Sequence, residues 1–235
     1  MTTGEFSCLL GAETVPVTVR RNAQAKRLIL RVDKTTGEVK LTLPKHVGKR
    51  AAEKFINNNL VWIQNERASV APEMVTGHGD SLPFLGDIQT LNFTGISPRK
   101  VVHEYEEISV GGPLDLAGKR LENWFRAEAK NILTERADYH AEMLGARFER
   151  ISIGDMKSRW GSCSSTGTLR FSWRLVLAPF EVLDYVAAHE VAHLLEMNHS
   201  DRFWAHVATC IPDHKARRRW LKTEGNALFK IRFGD

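Results

Sequence analysis

Residues 180–199 read FEVLDYVAAHEVAHLLEMNH, and this stretch decides how the C-terminal half of the chain is interpreted. Apolar residues recur along it at helical spacing, which predicts an amphipathic helix that begins after Pro179. His189 and His193 stand four residues apart, so a helix projects both imidazoles from one face, one turn apart. Two neutral imidazoles placed in this way can bind one metal ion, and the stretch therefore predicts a metal site.

Glu190 and His199 complete the predicted site. Glu190 lies about 100° around the helix from His189, where its carboxylate suits a general base better than a ligand. His199 is the predicted third ligand, and three protein ligands leave the fourth position of a zinc ion open for water, as in catalytic sites. Glu196 competes for this role, but on a straight helix it stands about 10.5 Å along the axis from His189. His199 reaches the ion only if the helix ends first, and Asn198 tolerates the left-handed conformation common at helix ends.

The segment before this helix is predicted to contain a long helix and a hairpin. Residues 116–144 carry apolar residues at mostly helical spacing, and Gly145 follows in the position of a C-cap. Two short strand-like runs then flank a small-residue loop at 164–167, which a β-hairpin explains most simply. Further helical turns are expected in SDRFWAHVATC and in the basic tail. Together these elements form a predicted domain over residues 113–235.

The N-terminal region, residues 1–112, is predicted to be β-rich with one helix. VPVTVRR and KRLILRV alternate apolar and polar residues, and a turn at Thr36 and Gly37 precedes another alternating run, so an antiparallel meander is expected. Residues 49–67 change to helical spacing. Strands resume in SLPFLGDIQTLNFTG and EEISVGG, where glycines separate short apolar runs. The whole pattern indicates the α+β fold class.

Composition and charge set limits on the kind of protein. With 235 residues, 43% hydrophobic and 26% charged, the chain can bury a core without disulfides. Its three cysteines form no CxxC pattern, which argues against a disulfide framework or a thiolate zinc site. No secretory signal or membrane span is recognisable, so a cytoplasmic protein is expected. The net charge of +5 is partly due to KARRRWLK (215–222) and leaves nucleic-acid or nucleotide partners open, although a solvated helix face is the commoner explanation.

The run KSRWGSCSSTGTLRFSWRLVLAPFEVLDYVAAHEVAHLLEMNHSDRFWAHV, residues 157–207, resembles the YgjP-like metallopeptidase family, which is akin to the SprT and WLM zinc proteases. It contains RWGSC, a proline before the helix, HExxH and NHS-x-x-FW, and the strand-rich N-terminal half is similar to the family's usual leader. The resemblance implies a zincin-like catalytic domain in which the HExxH helix packs against a small sheet. It also implies His189, His193 and His199 as zinc ligands and Glu190 as the base.

Several further residues are candidates for supporting roles. Arg159 and Trp160 either line the cleft and orient the substrate or brace the strand against the active helix. Arg159 and Tyr185 are candidates for binding the oxyanion. Cys163 is not expected to be a nucleophile, because no base is identifiable for it. By resemblance, the hairpin that contains LRFSW (169–173) is expected to supply a sheet edge along which an extended substrate aligns.

The predicted function is a zinc-dependent hydrolase, specifically a metallopeptidase acting on a peptide or protein substrate. One alternative is a metal-dependent hydrolase of nucleotide phosphoanhydrides, but the chain has no P-loop or carboxylate cluster suited to Mg²⁺ and phosphates. Another is a non-enzymatic nucleic-acid-binding protein with a structural zinc, but such sites are normally closed by four protein ligands. A helix whose histidines make ordinary hydrogen bonds is the simplest alternative, and His206 is assigned such a structural role.

Overall fold

The computed structural model describes residues 6–33, 36–68, 70, 73–156 and 159–234. The chain divides into two compact units, Met1–Pro72 and Glu73–Asp235. The predicted boundary between residues 112 and 113 falls inside the second unit, and as a functional division it stays a prediction. Strands and helices occur in both units, and the α+β class predicted from the sequence is confirmed. None of the described helices combines the length and the apolar character that crossing a membrane requires.

A four-stranded sheet forms the centre of the N-terminal unit, with strand order β1-β2-β4-β3. Because β2 and β4 are parallel, the predicted antiparallel meander is wrong. The most apolar strand takes a central position, since Val39, Leu41 and Leu43 of β4 are almost fully buried. The strands are β1 (Phe6–Leu10), β2 (Glu13–Asn22), β3 (Ile29–Val32) and β4 (Val39–Pro44).

Two helices, α1 (Lys49–Asn57) and α2 (Leu60–Ala68), replace the single helix predicted for residues 49–67. The interruption falls in a run of three asparagines, and the Asn59 side chain donates a hydrogen bond to the Phe55 carbonyl at 2.7 Å. Asparagine competes in this way with the helical backbone bonds, which explains why the apolar spacing alone did not reveal the break.

The C-terminal unit contains three sheets and five α-helices among its described residues. The sheet orders are β6-β7-β9-β8, β10-β12-β11 and β13-β5. The strands are β5 (Met74–Thr76), β6 (Ser81–Phe84), β7 (Asp87–Phe93), β8 (Val101–Glu104), β9 (Glu107–Val110), β10 (Arg150–Gly154), β11 (Gly161–Cys163), β12 (Thr168–Ser172) and β13 (Ile231–Phe233). The helices are α3 (Ala117–Leu144), α4 (Phe180–Ala192), α5 (Asp201–Cys210), α6 (His214–Thr223) and α7 (Gly225–Leu228), with 3₁₀ turns at Leu114–Leu116 and Trp173–Leu177.

The long helix α3 organises the core of this unit. Leu121, Phe125, Ala129 and Leu133 recur every fourth residue and are fully buried, as an amphipathic helix requires. Gly145 ends the helix with φ +64 as a left-handed C-cap, so the predicted helix and its cap are confirmed. On its buried side α3 packs against α4, which carries the HEVAH sequence.

The predicted hairpin after α3 is also confirmed. β11 and β12 are antiparallel, with Ser162 opposite Arg170, and the turn between them closes through the bond from the Gly167 N–H to the Ser164 carbonyl at 3.0 Å. β12 is the central strand because β10 pairs with its other side in parallel. LRFSW therefore lies in the middle of the sheet, and β11, which packs against α4, forms the hairpin's outer edge.

Candidate metal centre

The HEVAH helix ends at its second histidine. α4 closes at Ala192, with His193 as the C-cap at φ −65 and ψ −18, whereas the sequence predicted a helix that continued to about residue 197. Asn198 is not left-handed: among the described residues, the non-glycine residues with positive φ are Leu85 and Tyr105. The expected means of ending the helix is therefore wrong, although the expected break does occur.

A side-chain hydrogen bond accompanies the early break. His193 Nδ1 donates to the backbone carbonyl of Glu196 at 3.0 Å, an arrangement that folds the chain into a turn directly after α4. Ser200 then caps α5, because its hydroxyl accepts from the Phe203 N–H at 3.3 Å. The chain thus returns over the end of α4 and brings His199 back to the helix. Glu196, which helix geometry excluded as a ligand, accepts this hydrogen bond from His193 through its backbone carbonyl.

The turn brings the three predicted ligands together. One potential ligand atom from each of His189, His193 and His199 lies within 4.8 Å of the others. The Nε2 atoms of His189 and His199 are 3.2 Å apart, close to the roughly 3.3 Å expected for two nitrogens bound to one tetrahedral zinc ion. Because His193 Nδ1 is occupied as a donor, its Nε2 carries the free lone pair.

The surroundings of His189 and His193 keep these two imidazoles neutral. Burial first, and then the neighbouring His193, His199 and Arg218, lower the pKa of His189 to about 3. Burial also lowers the pKa of His193. A metal ion binds only the neutral form of imidazole. Because the pKa of each of these two groups is lowered, protons do not compete with a cation for their ring nitrogens at neutral pH. Three converging imidazole nitrogens fit a borderline transition-metal ion better than a hard cation such as Mg²⁺.

An aromatic side chain that the sequence analysis left without a role packs against all three rings. Phe203 is fully buried, and its ring centroid lies 4.9 Å from that of His189, 4.4 Å from that of His193 and 4.7 Å from that of His199. Trp204 follows at 5.9 Å from His189 and 5.7 Å from His199. Phe203 and Trp204 are the FW pair of NHS-x-x-FW, and this pair was the feature of the sequence that could have indicated their position beside the histidines. These rings restrict the orientations of the histidines.

Glu190 is buried against the edge strand β11. It is 6% exposed, and burial raises its pKa to about 8, against the opposing charge of Arg159. A Cβ atom at Gly161 would lie 2.5 Å from Glu190 Oε1, so any larger residue at this position of β11 would displace the Glu190 side chain, a contact that the sequence did not reveal. Burial, and then the Glu190 charge, raise the pKa of Cys163 to about 11, and this thiol stays protonated at neutral pH.

A family model described as YgjP-like, metallopeptidase domain, matches residues 26–224. The chain belongs to the YgjP-like metallopeptidase family. The resemblance stated from the sequence is thereby confirmed, and the family implies a metal ion and a peptide or protein substrate. No curated protein matches the chain. Among solved structures it is similar to the crystal structure of the metallopeptidase zymogen of Pyrococcus abyssi abylysin, at 22% identity, over 40% of this chain and 95% of that one, with a TM-score of 0.37.

The supporting residues of the YgjP-like domain occupy different surroundings. Trp160 stacks on Phe229 with ring centroids 4.3 Å apart, and its assignment to bracing or to the cleft stays a prediction. Arg159 is exposed and lies close enough to the buried glutamate to oppose the rise in its pKa. The Tyr185 hydroxyl lies 3.5 Å from His189 Nδ1, and burial raises the pKa of this tyrosine to about 12. Lys157 and Ser158, which begin the family-like run, lie outside the described residues.

One cation near the metal centre was not among the predicted site residues. The Arg218 guanidinium of α6 lies 4.8 Å from the Trp204 ring centroid. After burial and the two neighbouring imidazoles, its charge contributes to the lowered pKa of His189, and it opposes the burial that raises the pKa of Tyr185. The basic run KARRRWLK was the feature of the sequence that could have indicated Arg218, but a solvated helix face is the commoner explanation for such a run.

Proposed function

We propose that this YgjP-like metallopeptidase is a zinc-dependent peptidase that uses Glu190 as its general base. One observation carries the proposal: three imidazoles converge, and the residue that follows the first of them on α4 is a buried glutamate. A three-histidine donor set leaves a position open on a tetrahedral ion, as catalysis requires. The zincin-like packing of the HExxH helix against the β10-β12-β11 sheet is part of this proposal.

His189, His193 and His199 would hold the zinc ion. When bound, zinc acts as a Lewis acid that polarises the scissile carbonyl and lowers the pKa of a water molecule. Glu190 accepts a proton from the attacking water and returns it to the leaving amine. Burial raises the pKa of Glu190, and the charge of a bound cation opposes that rise. The two effects together keep the carboxylate able both to accept and to release a proton.

The substrate is proposed to lie along β11. This strand occupies the edge of its sheet, and its Gly161 contacts the general base. An extended peptide can add to such an edge through main-chain hydrogen bonds. The predicted role of the hairpin is kept in this proposal, with β11 rather than the central LRFSW strand as the contact. Tyr185 and Arg159 stay candidates for binding the oxyanion.

The phosphoanhydride and nucleic-acid alternatives receive less support. The family match favours a peptide or protein substrate. Within the part of the chain that the structure describes, the three histidines are the one group of side chains that could hold a metal ion. They are nitrogen ligands, whereas phosphate chemistry with Mg²⁺ uses carboxylates.

Metal analysis of matched variants tests the proposal. The purified chain is expected to bind one zinc ion and to cleave members of a peptide library, but not nucleoside triphosphates. His199→Ala should lose most of its zinc, because two histidines bind the ion much more weakly than three. His206→Ala is the control: His206 lies on α5 outside the ligand group, and its loss should leave zinc and activity near normal. Full zinc in His199→Ala, or hydrolysis of nucleotides alone, would refute the proposal.

A further inference from the structure

Four basic side chains follow one face of α6. Lys215, Arg218, Arg219 and Lys222 stand at positions i, i+3, i+4 and i+7, which share one side of a helix. All four are exposed, and together they line a surface cleft of about 240 Å³. These four residues are called the α6 basic face.

The charges of this face are not neutralised within the part of the chain that the structure describes. The ion pair of α6 joins its neighbour Arg217 to Asp213 at 2.7 Å, and none of the four residues of the face has an acidic partner among the described side chains. Like charges at i,i+4 spacing destabilise a helix slightly. An anion bound across the face would relieve this repulsion.

The α6 basic face begins beside the metal centre. Arg218 lies over the Trp204 ring at 4.8 Å, and that ring lies 5.7 Å from His199 and 5.9 Å from His189. One aromatic ring thus lies between Arg218 and two of the three histidines.

We propose that the α6 basic face binds an acidic segment of the polypeptide substrate next to the scissile bond. This inference rests on the proposed peptidase function and names the substrate class: chains with several Asp or Glu residues on one side of the cleavage site. Guanidinium groups bind carboxylates through paired hydrogen bonds, and two of the four side chains are arginines.

The dimensions and composition of the face favour a peptide over a nucleic acid. From Lys215 to Lys222 the helix rises about 10.5 Å, the length of roughly three extended residues. No aromatic side chain lines the cleft among the described residues, and the Trp204 ring beside Arg218 already stacks on His214. Single-stranded nucleic-acid sites, in contrast, combine basic residues with rings on which bases stack.

Binding of two matched peptides tests the inference on the zinc-loaded full chain. The probes are fluorescein-labelled peptides that repeat Glu-Gly or Gln-Gly four times, and the measurement is fluorescence anisotropy. The Glu peptide should bind more tightly than the Gln peptide, and salt should weaken its binding. Replacing the four residues of the face with Gln should reduce its affinity roughly tenfold or more. Equal affinity for the two peptides would overturn the inference.

A control variant separates the face from the net charge. Gln in place of Arg27, Arg147, Lys54 and Lys119 removes the same two arginines and two lysines from exposed positions elsewhere. This variant should keep wild-type affinity for the Glu peptide. An equal loss of affinity for the Glu peptide in the control and face variants would overturn the inference. It would also be overturned if the wild-type chain bound an eight-nucleotide oligodeoxythymidine more tightly than the Glu peptide and the face variant lost that binding.

Cleavage of the peptide library by the same preparations distinguishes this inference from the proposed function. A chain that binds the Glu peptide through α6 but hydrolyses no peptide would refute the peptidase proposal, whereas the binding surface would stand. A chain that cleaves peptides with no preference for acidic residues, identically in wild type and face variant, would refute the inference and leave the peptidase proposal intact.

Discussion

Two acids on the same helix, the partly buried Asp184 and the buried Glu190 of α4, have opposite properties. The Asp184 side chain is 13% exposed and accepts hydrogen bonds from Arg136 and His140, each at 2.7 Å. Burial would raise its pKa, but these two partners outweigh burial and lower it. Glu190 is 6% exposed and makes no hydrogen bond or ion pair with the described side chains. Burial raises its pKa to about 8.

Partners, rather than burial alone, distinguish an acid that joins two helices from one that suits the general-base role proposed for Glu190. Asp184 joins α4 to α3, since Arg136 and His140 belong to α3. Its lone pairs are occupied, and it has little capacity to exchange protons with a substrate. The Glu190 carboxylate lies against Gly161 and has no hydrogen-bond partner among the described side chains, which is the condition expected of the proposed general base. Each of the following variants tests one side of this comparison.

The largest effect is expected for Glu190→Gln. The amide keeps size and hydrogen-bonding capacity but cannot accept a proton from water. General bases contribute about 10² to 10⁴-fold in rate, or roughly 3 to 5.5 kcal/mol of barrier. Turnover of a library-selected peptide should fall at least about a hundredfold, while zinc content and thermal stability stay near wild type. Zinc loss would identify Glu190 as a ligand, and full activity with full zinc would refute its role as base.

Asp184→Asn should have the converse effect, on stability rather than on chemistry. The neutral amide leaves Arg136 without its carboxylate in a largely buried position. Removing one partner of such a pair costs roughly 2 to 4 kcal/mol when partial exposure is considered, and urea denaturation measures this loss. The kcat of the folded fraction should change by less than about threefold. A hundredfold loss of kcat in a fully folded Asp184→Asn protein would mean that the two acids do not have separate roles.

The contact between Glu190 and β11 offers a smaller test. Gly161 lies outside the positive-φ region, so Gly161→Ala introduces little backbone strain, but its Cβ would displace the Glu190 carboxylate. A shift of about 1 Å in a catalytic group costs on the order of tenfold to a hundredfold in rate. Gly77→Ala is the matched control, because a Cβ there meets nothing within 4 Å. Equal activity of the two variants would show that the position of Glu190 tolerates movement.

The sequence predicted these features to different extents, for physical reasons. The α3 helix was predicted because its apolar spacing and Gly145 are local signals, and HEVAH identified the candidate site for the same reason. The early end of α4 was not predicted, because it accompanies a bond from His193 to a backbone carbonyl that exists only after the chain has turned. The contact of Gly161 with Glu190 and the approach of Arg218 join residues distant in sequence. Such contacts depend on packing, which spacing along one helix does not encode.

The smallest expected effect is the dependence of stability on acid, and it follows from the direction of the Asp184 pKa. A carboxyl group whose folded pKa lies below its unfolded value binds fewer protons when folded, so it stabilises the fold above the unfolded pKa, near 3.9. That contribution is lost as the pH falls through the lowered folded pKa. The free energy of unfolding, measured with urea from about pH 6 down to about pH 3, should therefore fall in wild type and fall less steeply in Asp184→Asn.

Glu190→Gln is the control and should not show this less steep fall. The pKa of Glu190 is raised in the folded chain, so protonation of this group at low pH stabilises the fold. If Asp184→Asn and wild type lost stability in parallel, Asp184 would have the same pKa in the folded and unfolded chain, and the contrast between the two acids would be refuted.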